Sequence, residues 1–191
     1  MLFCRATYSG SGYIDFTVGY NYGPGSSSRA IAMTARHTPA ATSAAPADQA
    51  ARLRVNEIFY SLQGESRTVG LPTVFIRLTG CPLRCGYCDT EYAFHEGGWM
   101  TVAEILTQVA GYQPRYVTVT GGEPLAQRPC IQLLAGLCDA GYEVSLETSG
   151  AVDIGAVDPR VCMVMDVKTP GSGEAAKNEA ANLAHLKKTD Q

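Results

Sequence analysis

TVFIRLTGCPLRCGYCDT, residues 73–90, runs an apolar stretch of strand character directly into three cysteines placed within eight positions. Val74, Ile76 and Leu78 make the strand one that is buried on a sheet, and the Gly-Cys-Pro that follows ends it. Arg77 interrupts the apolar run and points to the face opposite Ile76, toward the interior expected of a curved sheet. A buried guanidinium is costly unless paired, so it meets either a ligand carboxylate or an internal glutamate. The spacing CxxxCxxC gathers Cys81, Cys85 and Cys88 on one centre. A structural zinc site needs four closed ligands, and Asp89, His95 or a distant cysteine supplies the fourth only at poor spacing. A four-iron cubane bound by three thiolates keeps one iron open to an outside ligand. Zinc and three incidentally close thiols are the competing readings.

Outward from this stretch, the chain alternates strand and helix. RVNEIFYSL precedes it as a strand. TVAEILTQVAGY follows as an amphipathic helix, with Thr101 as N-cap and Glu104 completing a capping box. RYVTVTGG reads as a buried strand, and IQLLAGLCDAG as a helix closed by Gly141. YEVSLETSG and VCMVMDVKTPG are further strands, and GEAAKNEAANLAHLKK carries a last helical pattern. The alternation predicts an α/β fold with a parallel sheet and helices outside it. Roughly four or five βα units fall short of the eight that close a full barrel, so a partial (β/α) barrel is expected. TGCPLRC, TGGEP, ETSG and DVKTPG each follow a strand, where ligands gather in parallel βα folds.

With 191 residues, 46% hydrophobic and 17% charged, the chain has material for one sizeable core. A net charge of −3 gives no electrostatic footprint for nucleic acid or an anionic membrane, and no apolar run is long enough to span a bilayer. A small-molecule substrate, no nucleic acid and no membrane are expected. Seven cysteines, four of them scattered singly, argue against a fully paired disulfide framework and for a reducing, cytoplasmic location. Residues 1–50 are rich in Gly, Ser, Thr, Ala and Tyr, with Asp15 and Asp48 as their acids. They are expected to be a disordered or spurious N-terminal extension and linker, with Met33 as the expected true start. Residues 51–191 form the expected catalytic domain.

CPLRCGYC resembles the cluster motif of radical S-adenosylmethionine enzymes, in which that cofactor chelates the open iron of a 4Fe-4S cluster, and TGGEP resembles their second motif. Gly121 and Gly122 there carry no Cβ to block a close backbone approach. SLQGES, FIRLTGCPLRC, CDT, TGGEP, LETSG and DVKTPGSG together resemble the 7-carboxy-7-deazaguanine synthase family over residues 52–191. The resemblance implies a partial (β/α) barrel of the radical S-adenosylmethionine type. It also implies a lyase that converts 6-carboxy-5,6,7,8-tetrahydropterin with loss of ammonia, in queuosine and deazapurine biosynthesis. The cofactors it implies are a 4Fe-4S cluster, S-adenosylmethionine and Mg2+; the implied partners are a flavodoxin or ferredoxin electron donor and a second copy of the chain.

By the same resemblance Cys81, Cys85 and Cys88 ligate the cluster and Thr90 the magnesium, an ion that prefers oxygen. Leu62, Gln63, Gly64, Glu65, Arg77 and Thr120 match substrate contacts. Tyr87, Asp89, Gly122, Asp166, Val167 and Lys168 match contacts to S-adenosylmethionine. No catalytic residue is assigned beyond the cofactor ligands, and Glu147 and Thr148 carry no firm role. Family members continue past LAHLKKTDQ, so the expected barrel lacks its C-terminal elements and impaired turnover is expected. The alternatives are another radical enzyme, such as a glycyl-radical activase, and a non-enzymatic zinc-binding module.

Overall fold

A computed structural model describes residues 2–9, 13–20 and 51–191. The chain divides into two compact units, Met1–Ala44 and Ala45–Gln191. In the first, β1 (Leu2–Ser9) pairs antiparallel with β2 (Tyr13–Tyr20), where the composition had suggested no regular structure. YIDFTVGY does carry the β-branched and aromatic residues that favour a strand. The expected linker over residues 21–50 lies outside the described residues.

The second unit is a six-stranded sheet in the order β5-β3-β4-β6-β7-β8. Its strands are β3 (Arg52–Leu62), β4 (Pro72–Leu78), β5 (Gly98–Thr101), β6 (Tyr116–Gly121), β7 (Glu143–Thr148) and β8 (Cys162–Met165). β4, β6, β7 and β8 run parallel. The wholly parallel sheet expected from the alternation is corrected at the other edge, where β3 lies antiparallel to both β4 and β5. β3 and β4 are joined by a short connection, which only an antiparallel pair can use.

Two helices cover the sheet, α1 (Val102–Gly111) and α2 (Cys130–Asp139). α1 begins at the capping box read from the sequence: the Thr101 side chain accepts from the Glu104 amide, and Glu104 accepts from the Thr101 amide. α2 ends just before Gly141, whose φ of 88° is left-handed, as a C-terminal glycine permits. The expected last helix over GEAAKNEAANLAHLKK does not form. In its place are short 3-10 turns, Ala175–Lys177 and Ala180–His185. Asn182 is fully buried there and its amide binds the carbonyls of Gly150 and Val152. These tertiary bonds outweigh the helical propensity of an Ala-rich stretch.

Strand alternation sorts the parallel strands into two faces. Val74, Ile76, Leu78, Val117, Val119, Val144, Leu146 and Met163 join Ile105, Val109, Leu133, Leu134 and Leu137 of the helices in one core. Their neighbours Phe75, Arg77, Thr120, Glu147 and Val164 turn to the opposite face and line a cavity of about 500 Å3. The period of two thus builds the core and the site from the same strands.

Candidate functional site

The register sets the site. Arg77 pairs with Thr120 and Leu78 with Gly121, so β4 and β6 end side by side. The loop after β4 and the GGEP loop after β6 therefore meet. The Glu123 amide donates to the Gly80 carbonyl at 2.9 Å. A Cβ on Gly122 would stand 2.6 Å from Cys81 Cβ and overlap the Gly80 carbonyl. The bare glycine sequence anticipated by its motif is thus required by the cysteine loop itself, which packs directly on it.

Cys81, Cys85 and Cys88 all line the cavity and are free thiols. Burial is the largest influence on Cys81 and pushes its thiol up, against a lowering contribution from the Leu83 amide, which donates to Cys81 Sγ at 3.4 Å. Thr90 also lines the cavity, with its hydroxyl 3.9 Å from Cys88 Sγ. Arg84 folds back over the loop, donating to the carbonyls of Cys81 and Leu83 at 2.7 and 2.6 Å. Its guanidinium lies 4.4 Å from the centre of the Phe94 ring.

The same cavity is lined by polar residues at the ends of β3, β4 and β7. Arg77 binds Glu57 through Nε at 2.7 Å, which is the internal ion pair weighed from the sequence. Among the described residues its two terminal nitrogens have no protein acceptor, and Arg77 lines the cavity. The ion pair with a glutamate is therefore found at Nε, and the terminal nitrogens are left without a protein acceptor on a residue that lines the cavity. The rings of Phe59 and Tyr92 lie 5.8 and 5.9 Å from the guanidinium, and Tyr92 donates to the same Glu57 oxygen at 3.0 Å.

Gln63 is buried, 3% exposed. Its amide nitrogen donates to Thr118 Oγ1 at 3.1 Å and to Glu147 Oε1 at 3.2 Å, while its oxygen accepts from the Glu65 amide. Both amide hydrogens are thus committed within the protein, and the polar group offered beside Gln63 is the Glu147 carboxylate. Of the remaining sequence-selected residues, Gly64, Glu65, Tyr87, Asp89, Asp166 and Lys168 line the cavity. Leu62 and Val167, 63% and 54% exposed, are not among its lining residues. Lys168 is paired with Asp166 at 2.5 Å. Burial is the largest single influence and lowers its pKa, while the bond and charge of Asp166, with smaller contributions from Cys85 and Tyr87, together leave it raised.

Sequence reasoning gave no role to Glu123, the acid of GGEP. It is fully buried and accepts from the Thr148 hydroxyl, the Ser149 amide and hydroxyl, and the Leu125 amide, at 2.5 to 3.0 Å. Glu123 thereby ties the β6 loop to the end of β7. ETSG supplied a signal in its paired hydroxyls, but their partner is 25 residues away in the chain.

Residues 75–161 match the family model of the Radical SAM superfamily. Over 133 residues the chain is 48% identical to a 7-carboxy-7-deazaguanine synthase from Chlorobaculum tepidum, covering 70% of this chain and 60% of that relative. A 7-carboxy-7-deazaguanine synthase from Methanospirillum hungatei is 44% identical over 146 residues, covering 76% and 62%. Among solved structures, the crystal structure of QueE from Escherichia coli superposes with a TM-score of 0.56 at 27% identity, covering 60% of this chain and 59% of that one.

In its cysteine loop and glycine loop the chain resembles a radical S-adenosylmethionine protein, the class whose family model matches residues 75–161. Within it, the relatives that the chain resembles are 7-carboxy-7-deazaguanine synthases, of whose length it spans about 60%. The superfamily implies a 4Fe-4S cluster and S-adenosylmethionine, and the donor set fits both. Among the described residues no three His, Cys, Asp or Glu side chains close round a single ion, as a bare zinc would require. A cubane takes each thiolate on a different corner, and all three cysteines line the one cavity. No described helix is long and apolar enough to cross a membrane.

Proposed function

We propose that this chain carries the active site of a lyase that converts 6-carboxy-5,6,7,8-tetrahydropterin to 7-carboxy-7-deazaguanine with loss of ammonia. The observation that carries the reading is the convergence, on one cavity, of three thiols, a glycine loop and an arginine fork. When bound, the cluster and S-adenosylmethionine would supply the radical that starts the rearrangement. Cys81, Cys85 and Cys88 would hold the cluster. Tyr87, Asp89, Gly122, Asp166 and Lys168 would border S-adenosylmethionine, and Thr90 would give magnesium an oxygen ligand beside the substrate.

The protein's own part is to bind and orient. The terminal fork of Arg77 suits the 6-carboxylate as a bidentate partner. Glu147, steadied by Gln63, presents an acceptor to the N–H edge of the pterin, and Thr120 and Glu65 complete the polar wall. Phe59 and Phe75, stacked with ring centres 5.0 Å apart, give that wall an apolar floor that excludes water. A flavodoxin or ferredoxin is the proposed electron donor, a homodimer the proposed assembly and the cytoplasm the proposed location.

The test is anaerobic reconstitution, followed by incubation with the carboxypterin, S-adenosylmethionine, Mg2+ and a reductant. Mass spectrometry should find the deazaguanine product. Consumption of S-adenosylmethionine with the pterin recovered intact would overturn the substrate assignment.

A further inference from the structure

The middle cysteine of the motif is held from outside its own loop. Cys85 stands between Arg84 and Gly86, and the backbone amides of both neighbours are bound by one distant segment. The Arg84 amide donates to Glu174 Oε1 at 2.7 Å, and the Gly86 amide donates to the Ser172 carbonyl at 3.0 Å. Cys81 is placed by different contacts, since Gly80 bonds to Ala93 and Glu123. Cys88 closes a turn on the Cys85 carbonyl at 3.1 Å, so its position follows that of Cys85.

The segment that grips Cys85 is itself anchored. Ser172 is buried, and its hydroxyl donates to the Thr169 carbonyl at 2.7 Å and accepts from the Glu174 amide at 3.0 Å. Just downstream, Asn178 reaches back to bracket Lys168, accepting from its amide at 2.9 Å and donating to its carbonyl at 2.8 Å. The Glu174 side chain is mostly buried, 14% exposed, although the Arg84 end of the bond is exposed. Its other oxygen is 3.8 Å from the surface ammonium of Lys177.

We infer that Glu174, with the Ser172 carbonyl, is a latch that positions Cys85 and so governs retention of the cluster. Glu174 touches neither the cavity nor a cysteine side chain; it is a positioning residue acting through the backbone on either side of Cys85. The latch couples the DVKTPGSGE segment at the end of β8 to the ligand loop at the end of β4. A charge-assisted bond of this kind is the strong kind, and leaving the Arg84 amide without it loosens one of three cluster ligands.

The inference rests on the cluster assignment, and its two arms separate the failure of one from the failure of the other. In the cluster-free chain, hydrogen exchange at Arg84 and Gly86 should be about tenfold faster in Glu174→Ala than in the parent, with β4 and β6 unchanged. In the reconstituted protein, a chelator should bleach the cluster absorption about tenfold faster in Glu174→Ala. Glu174→Gln, whose amide oxygen still accepts from Arg84, should restore most of both protections. Unchanged exchange at Arg84 and Gly86 in Glu174→Ala would overturn the latch. Faster exchange with an unchanged bleaching rate would overturn its role in retention. A parent chain that takes up no iron-sulfur cluster would overturn that role together with the cluster assignment, while the exchange arm still judges the latch.

Discussion

At the scale of single residues, the site depends on charges that the protein itself has already partnered. Glu123 is the clearest case, a carboxylate without solvent contact whose oxygens are filled by Thr148, Ser149 and Leu125. Replacing it with alanine strands several buried donors at once. Glu123→Ala should lower the unfolding free energy by about 3 kcal/mol, as read from urea denaturation of the cluster-free chain. An unchanged midpoint would mean that the loop re-pairs its donors with water. Arg77 divides its donors differently, spending Nε on Glu57 and leaving its fork to the cavity. Arg77→Met should weaken binding of the carboxypterin at least about thirtyfold, the loss expected of a desolvated charge pair. It should leave binding of a tetrahydropterin without the carboxylate nearly unchanged. Equal losses for the two ligands would remove the carboxylate as its partner.

At the scale of elements, what was legible in the sequence was local. The α1 capping box needs four consecutive residues, and the Gly141 stop needs one. The cysteine and GGEP loops are short motifs whose meeting follows from the parallel β4-β6 pairing. The turn-rich tail was not legible, because Asn178 and Asn182 are committed to partners that sit elsewhere in the fold. β5 escaped notice because four residues, GWMT, carry too little pattern to separate a strand from the start of α1. Glu57 with Arg77 and Glu174 with Arg84 are joined by distance in space alone.

The segment from β7 to β8 offers a prediction at the same scale. Arg160 bridges Asp158 in its own turn and Asp139 at the end of α2, fastening that turn to the helix. The side-chain bond from Arg160, followed by its backbone amide, holds the Asp158 carboxyl down at about 2, below its ordinary 3.8. At pH values between these two, the unfolded chain binds the proton that the folded one refuses. Its contribution is fully present above 3.8 and is lost as pH falls toward 2. Asp158→Asn should therefore flatten the acid limb of a stability-pH curve in that window while leaving the slope above pH 5 unchanged. An identical acid limb in the variant would show that other carboxylates set it.

At the scale of the whole unit from Ala45 to Gln191, the question is whether the cluster holds the fold or the fold holds the cluster. A small zinc module has too little core and unfolds when its metal is removed. Here the sheet and two helices close a continuous core, from Leu53 and Val55 on β3 to Met163 on β8, without a cysteine ligand among its members. Each fully buried Leu, Ile or Val contributes about 1.5 to 3 kcal/mol, which is ample for the sheet to persist on its own. The ligand loop and the segment that latches it sit at the strand ends, outside that core. Removing the cluster should thus leave far-UV circular dichroism nearly unchanged and preserve a cooperative thermal transition, shifted downward by the lost ligand binding. Hydrogen exchange should rise in residues 81–90 and 170–182 and stay slow in β4, β6 and β7. Loss of the cooperative transition on chelation would place the cluster in the folding core and overturn this division of labour between sheet and loops.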